Sequence, residues 1–417
     1  MKKLILILGA ALLLSPACSK IDREDNLRGD QLAPLVPIQL TQREQLTRNA
    51  SNDFGINTFR ILYGEGQRGD VAFSPLSLTL ALAMAAEGAE GETWQQFADV
   101  IGWGDATKEE VGAFYHKMIQ GLVKADLNVQ FSSANSFWAN KQLQLRSGYV
   151  SRLKEYFEAE AYEVDFSLPA TLAQINKWCS DKTDGKIPRL LDRVDPDTAL
   201  ILINALLFKA PWRLTWDILP NRDFQTPFGT AKKDYLFVRD QQLTYGDFGD
   251  FELVRAPYGN TAYQMDIILP KKGKTLSEIL PQVESGAVNY SLKPTEVTLY
   301  LPKWSLEYST GDALIPALKR QGLTLPFGQG SLAMSDTADF SGISDEALCI
   351  SNILQKVKID VTEKGTEFAA VTGIVMDNAA SAPVSYPRVT VDVNRPFAYT
   401  IRETTSGTIL LLGTLSK

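Results

Sequence analysis

Between Thr362 and Pro387 the chain runs for 26 residues as TEKGTEFAAVTGIVMDNAASAPVSYP. Strand patterns flank this stretch on both sides. Before it, Val357, Ile359 and Val361 alternate with polar residues, as a half-buried strand does. After it, Arg388–Val393, Ala398–Arg402 and Thr408–Leu415 read as further strands. Structureless loops beyond about 15 residues are uncommon in compact domains and are usually functional or disordered. The composition does not suit a solvated loop either. Phe368 to Met376 is apolar, small or β-branched, and Asp377 to Ser385 is small and turn-like. A fold that fits this chain keeps such a segment exposed while leaving it able to pair as a strand. An ordinary surface helix or hairpin is the other reading that composition leaves open.

The rest of the chain mixes helix and strand signals. Thr198–Lys209 (TALILINALLFK) is a continuous apolar run, which predicts a central strand covered on both faces. Tyr263–Leu269 and Val297–Leu301 are also strand-like. Asn52–Leu62 predicts a helix. Ser74-Pro75 opens another, since serine accepts from the first free N–H groups and proline loses nothing in the first turn. Leu76 to Ala86 follows, and Gly88 suits its end. Helical patterns recur near 92–101, 147–159, 170–183 and 312–320. The class is α+β with much sheet. A length of 417 residues alone suggests two or three domains at roughly 150 residues each. No linker, repeat or low-complexity tract appears after about residue 50, so 50–417 reads as one domain.

Several function classes are excluded. With 42 Lys+Arg against 49 Asp+Glu, the chain lacks the positive surface that nucleic-acid binding needs. The single histidine, His116, makes a two-histidine zinc site impossible. It lies in the amphipathic stretch Glu109–Val123 beside Phe114, Tyr115 and Met118, which marks an incidental helical histidine rather than a triad base. Three cysteines (Cys18, Cys179, Cys349) are too few for a disulfide framework or a four-cysteine metal site. Whether Cys179 and Cys349 are bridged or free is open. Gly64-Glu-Gly66-Gln-Arg-Gly69 matches a dinucleotide motif but lacks the strand before it and the helix after it. Ser151-Arg-Leu-Lys154 lies in a plain amphipathic pattern. Asp192, Asp195 and Asp197 lack the glycine and closing glutamate of a calcium loop. No enzyme, metal or cofactor is predicted.

Residues 1–18 read MKKLILILGAALLLSPAC. Lys2 and Lys3 precede an apolar run from Leu4 to Leu14, too short to span a bilayer and right for a signal-peptide core. Ser15-Pro16-Ala17-Cys18 then looks like a bacterial lipobox, in which the cysteine is acylated and becomes the new N-terminus. A plain secretory signal with a coincidental cysteine is the alternative. Several acyl chains on Cys18 would anchor the protein stably. The expected organisation is a signal peptide at 1–17, an acylated cysteine and polar tether at 18–49, and the domain at 50–417. The expected location is the cell envelope, at the outer membrane or cell surface, with a lipid anchor as its only membrane contact.

Phe73-Ser-Pro-Leu-Ser77, Glu87-Gly-Ala-Glu-Gly-Glu-Thr93, Ile175-Asn-Lys-Trp178, Lys182-Thr-Asp-Gly-Lys-Ile-Pro188 and Asn204-Ala-Leu-Leu-Phe-Lys209 with Trp212 form an ordered set. Leu301-Pro-Lys303, Phe340-Ser-Gly342, Glu363-Lys-Gly-Thr-Glu367, Pro396-Phe397 and Gly407-Thr-Ile409 extend it. From about residue 50 onward the chain resembles the serpins. That resemblance implies three β-sheets, eight or nine helices, an exposed reactive-centre loop at about 363–387, and a monomer. It implies a suicide substrate: a serine protease, or a cysteine protease, attacks the loop, and the cut loop enters the main sheet and carries the acylated protease with it. The hinge would comprise Glu363, Gly365, Thr366, Glu367, Phe368, Ala369, Ala370 and Thr372, slim apart from Phe368, where inhibitory members usually carry alanine. A sheet-opening cluster would comprise Ser74, Ser77, Asn204 and Gln355, with glutamine in place of the usual histidine. Family spacing from Glu363 places the scissile bond at Ala379-Ala380, and counting back from Pro396-Phe397 gives Ser385-Tyr386. Small residues at the first site suit an elastase-like pocket, and no Lys or Arg lies from Gly365 to Pro387. A non-inhibitory serpin, acting as a carrier module or a simple protease substrate, is the competing reading.

Overall fold

The computed structural model describes residues 32–65, 69–283, 291–327, 338–350, 353, 355–366 and 386–417. Its helices are α1 (Gln42–Glu65), α2 (Pro75–Ala86), α3 (Gly91–Ile101), α4 (Lys108–Ala125), α5 (Ser147–Phe157), α6 (Pro169–Lys182), α7 (Leu276–Ile279) and α8 (Leu314–Arg320). The strands that position the site are β1 (Val71–Phe73), β2 (Gln130–Asn140), β3 (Glu160–Val164), β4 (Leu200–Pro211), β5 (Asp217–Thr226), β6 (Gly229–Asp247), β7 (Phe251–Pro257) and β8 (Tyr263–Pro270). They continue with β9 (Lys293–Pro302), β10 (Trp304–Ser309), β11 (Lys356–Thr362), β12 (Gly365–Thr366), β13 (Arg388–Asp392), β14 (Phe397–Glu403) and β15 (Ile409–Leu415).

The start of α2 follows its sequence signal. Ser74 accepts a hydrogen bond from the Ser77 N–H at 3.2 Å, and Pro75 occupies the first turn. Nearly every residue of α2 is buried, because it packs on β4 to one side and β15 to the other. By contrast, α1 begins ten residues before the expected Asn52. Thr41 and Glu44 cap it reciprocally: the Thr41 N–H donates to Glu44 Oε2 at 2.7 Å and the Glu44 N–H donates to Thr41 Oγ1 at 3.3 Å. Part of the segment before residue 50 packs on the rest of the chain. The Val36 N–H donates to the Ala125 carbonyl, the Ile38 N–H donates to Thr405 Oγ1 at 2.8 Å, and the Ile38 side chain is buried.

One sheet has six strands in the order β10-β11-β12-β4-β2-β3. The other ladder runs β1-β15-β14-β8-β7-β6-β9-β13, with β5 also on β6. Two of the three expected sheets are joined in it, because the long β6 serves both. Its register with β9 breaks between Val238 and Gln241, where Asp240 adopts φ +48. Before the break β6 pairs with β5, and beyond it with β7. At the far end of the loop, β13 lies parallel to β9, from Arg388 opposite Glu296 to Asp392 opposite Tyr300.

The unbroken apolarity of β4 has a direct cause. Ile203 and Ala205 face a smaller core under α6, with Trp138, Ile175 and Trp178, while Leu202, Leu206 and Phe208 face the main core. Cys179 is buried in that smaller core and Cys349 is half-buried; both are free thiols. Burial pushes the Cys179 thiol up to about 11. His116 sits half-exposed on α4, with Nδ1 3.9 Å from Glu158 Oε1.

Candidate functional site: an open strand position

Among the described residues, the six-stranded sheet is incomplete at its centre. On one edge β4 pairs with β2 over ten positions, from Leu200 opposite Ala139 to Lys209 opposite Gln130. On the other edge, among the described residues, it pairs only through Pro211 and Ala210 with Gly365 and Thr366. The facing strand β11 is fully paired to β10, from Lys356 opposite Ser309 to Val361 opposite Trp304. On its inner edge, among the described residues, it meets only Thr366 and Gly365. Beyond that two-residue wedge no described strand pairs with both β4 and β11. Leu200, Leu202, Leu206 and Phe208 are half-buried, and no described strand covers their flank. Two small voids lie along the gap. One, of about 40 Å³, lies between α2 and Leu200, Leu202, Ile350 and Ile353. The other, of about 30 Å³, lies beside Leu206, Phe208, Ile359 and Thr366.

The mouth of the gap is built with tight tolerances. Gly365 has φ +152, and a Cβ there would sit 2.1 Å from the Ala210 carbonyl oxygen, so only glycine fits. Thr366 is 3% exposed, and its hydroxyl is hydrogen-bonded to that of Tyr258. Tyr258 stacks on Trp212 at 4.3 Å between ring centroids and 13° between planes. Trp212 in turn donates from Nε1 to the Thr362 carbonyl at 2.8 Å and from its backbone N–H to the Lys364 carbonyl at 3.3 Å. Lys303 Nζ lies 2.7 Å from Glu363 Oε2, and this partner holds the Glu363 carboxyl below its ordinary range. The hinge residues Glu363, Gly365 and Thr366 are thus gathered at one point. Glu367, Phe368, Ala369, Ala370 and Thr372 lie outside the described residues, as do Ala379, Ala380, Ser385 and Cys18. Tyr386 is half-buried, next to Pro387, whose carbonyl accepts from the Glu296 N–H at 2.9 Å.

The expected sheet-opening cluster divides in two. Gln355 does the work anticipated for an amide. Its Oε1 accepts from the Ser74 N–H at 2.7 Å, and its Nε2 donates to the Ser74 carbonyl at 2.9 Å. Ser77 joins through Ser74 Oγ. Asn204 belongs elsewhere: its Nδ2 donates to Ser133 Oγ at 2.9 Å and to Asn135 Oδ1 at 2.7 Å. Asn204 is on β4 and meets the β2 residues beside it, while Gln355 immediately precedes β11. Asn204 Oδ1 is left buried without a partner.

The family model described as serpin (serine protease inhibitor) matches residues 49–417. The chain is a serpin. Iripin-2 of Ixodes ricinus is 31% identical over 395 residues, covering 92% of this chain and 96% of its own. Human neuroserpin is 28% identical over 378 residues, covering 87% and 89%. Among solved structures, the native state of the thermophilic serpin tengpin superposes with a TM-score of 0.77 at 25% identity, over 92% of this chain and 97% of that one. The serpin family is one of protease inhibitors. Sequence reasoning missed the Trp212–Tyr258 stack and a buried pair, Glu87 with Arg152. The second carried a signal: Glu87 ends an otherwise small and apolar helix, so it needs a cation from a distant segment.

Proposed function

We propose that this serpin inhibits serine proteases of elastase-like preference as a suicide substrate. The carrying observation is the strand position between β4 and β11, which among the described residues is filled only at its mouth by Gly365 and Thr366. In this reading the protease serine Oγ attacks the Ala379 carbonyl carbon. The bond to Ala380 breaks, the Ala380 amine leaves with a proton, and an acyl-enzyme forms. The freed segment then enters behind Thr366 as a new strand. About 15 residues at ~3.3 Å each span roughly 50 Å, enough to carry the protease along the sheet.

Ala379-Ala380 is preferred over Ser385-Tyr386 because a protease cleft needs extended substrate on both sides of the bond. Tyr386 directly precedes Pro387, which is already hydrogen-bonded to Glu296 beside β9. The site choice is tested by Ala379→Arg. A trypsin-like pocket requires a cation, which the wild-type loop lacks. The variant is expected to lose elastase inhibition and gain trypsin inhibition by about a hundredfold in association rate. Unchanged elastase inhibition by the variant would reject Ala379. Cysteine proteases are a further target class, since a thiolate attacks the same carbonyl.

Phe368 favours a second reading, a cleaved substrate or carrier that does not trap its protease. A ring at a hinge position whose side chain must turn inward slows entry to the sheet.

Acylation of Cys18 would hold the protein at the envelope of a bacterial cell. Among the described residues, no helix is long and apolar enough to cross a membrane. Labelled palmitate is expected to enter the wild-type chain in a bacterial host and to be absent from Cys18→Ala. Equal labelling of both would refute the anchor.

A further inference from the structure

The two ends of α2 are held by different halves of the incomplete sheet. At the N-terminal end, Gln355, next to β11, grips the Ser74 main chain. At the C-terminal end the grip comes from α5. Arg152 Nε donates to Glu87 Oε2 at 2.9 Å, Arg152 Nη2 donates to the Glu87 carbonyl at 3.1 Å, and the Tyr149 hydroxyl donates to the Met84 carbonyl at 3.1 Å. In turn α5 belongs to the β2–β3 half: Asn135 Nδ2 of β2 donates to the Phe157 carbonyl at 2.7 Å, and β3 follows α5 directly. Meanwhile α2 packs on β15, in the other ladder. Parting β4 from β11 therefore pulls α5 off one end of α2 or Gln355 off the other.

We propose that Glu87 and Arg152 are positioning residues for loop insertion, a clasp between α2 and α5 whose ionisation sets how readily the six-stranded sheet opens. This rests on the insertion reading above. Glu87 is 2% exposed, a carboxylate buried where α2 ends. The groups facing it are Arg152, Tyr149 and Tyr156 from α5, and Lys108 and Glu109 from α4. Glu90, between α2 and α3, pairs with Lys108 at 2.8 Å, and Asp339, from the 338–350 segment, accepts from the Ser341 N–H at 3.0 Å. Burial outweighs the pull of Arg152 and pushes the Glu87 carboxyl up to about 7. The sign follows from linkage. A group whose acidity is suppressed in the closed state and restored by water in the open state favours closure while protonated. That preference is lost as pH rises through its closed-state value. Opening is easier above neutrality, when the buried charge gains by reaching water.

The test is the rate at which an acetylated peptide matching residues 366–379 enters the sheet, followed on native gels from pH 6 to pH 8. The peptide's own acids, Glu367 and Asp377, titrate below this window. The wild-type rate is expected to rise about tenfold across it. Glu87→Gln, neutral throughout, is expected to give a flat profile at or below the wild-type pH 6 rate. Glu109→Gln, an exposed change that removes a like charge, moves the wild-type midpoint to lower pH. A flat wild-type profile, or a Glu87→Gln profile that follows the wild type, overturns the clasp while leaving insertion intact. No peptide entry at any pH overturns the clasp and the insertion reading together.

Discussion

Thr366→Arg is expected to turn the protein from an inhibitor into a substrate. Thr366 is buried between β11 and β4 and is the first residue that later inserted residues must follow. An arginine there places a bulky cation at a buried position beside a void whose one carboxylate, Asp360, is already paired with Lys186 and Lys358, and burial of an unpaired charge costs several kcal/mol. A penalty of about 3 kcal/mol on insertion, with no change in attack on the loop, shifts the partition between trapping and hydrolysis by about a hundredfold. Titration of protease activity against added protein measures this directly, since many molecules would be cleaved per protease trapped. Thr366→Val keeps the volume, loses only the hydroxyl, and is expected to inhibit nearly normally. Equal stoichiometry for Thr366→Arg and the wild type would show that the wedge is not the start of the inserted strand.

Trp212→Ala is expected to have the largest effect on stability. The side chain is 2% exposed, stacks on Tyr258, and ties the turn between β11 and β12 to the end of β4. Loss of a buried tryptophan leaves a cavity and costs about 3–5 kcal/mol. Here it also removes the donor to the Thr362 carbonyl. The first transition in urea is expected to move to markedly lower denaturant, and inhibitory activity to decay faster on storage. Trp212→Phe retains a ring to stack on Tyr258 and loses one hydrogen bond, so about 1 kcal/mol is expected. A Trp212→Ala protein with an unshifted transition would remove Trp212 from the hinge support.

Much of the fold is legible locally. Ser74-Pro75 marks the start of α2, and the 198–209 run marks the central strand, observed as β4 (Leu200–Pro211). The early start of α1 was legible too, in the capping pair Thr41 and Glu44, but its weakly amphipathic sequence hid it from a reading based on periodicity. What local patterns cannot supply is the partner of a residue far along the chain. Glu87 and Arg152 are 65 positions apart, and Tyr258 and Thr366 are 108 apart. Asn204 is a further case: its amide meets Ser133 and Asn135 of β2, neighbours 71 and 69 positions away that no local pattern names. The proposed function rests on a strand position left open among the described residues, and the sequence shows it only indirectly, as a long segment with strand-like composition.

The central claim is that cleavage at the loop traps the protease. Mixing the purified chain with a neutrophil-type elastase, followed by a denaturing gel and intact-mass analysis, tests it directly. A boiling-resistant adduct of the two proteins, with a released fragment beginning at Ala380, is the predicted result. Complete cleavage without an adduct, and full recovery of elastase activity, would contradict it.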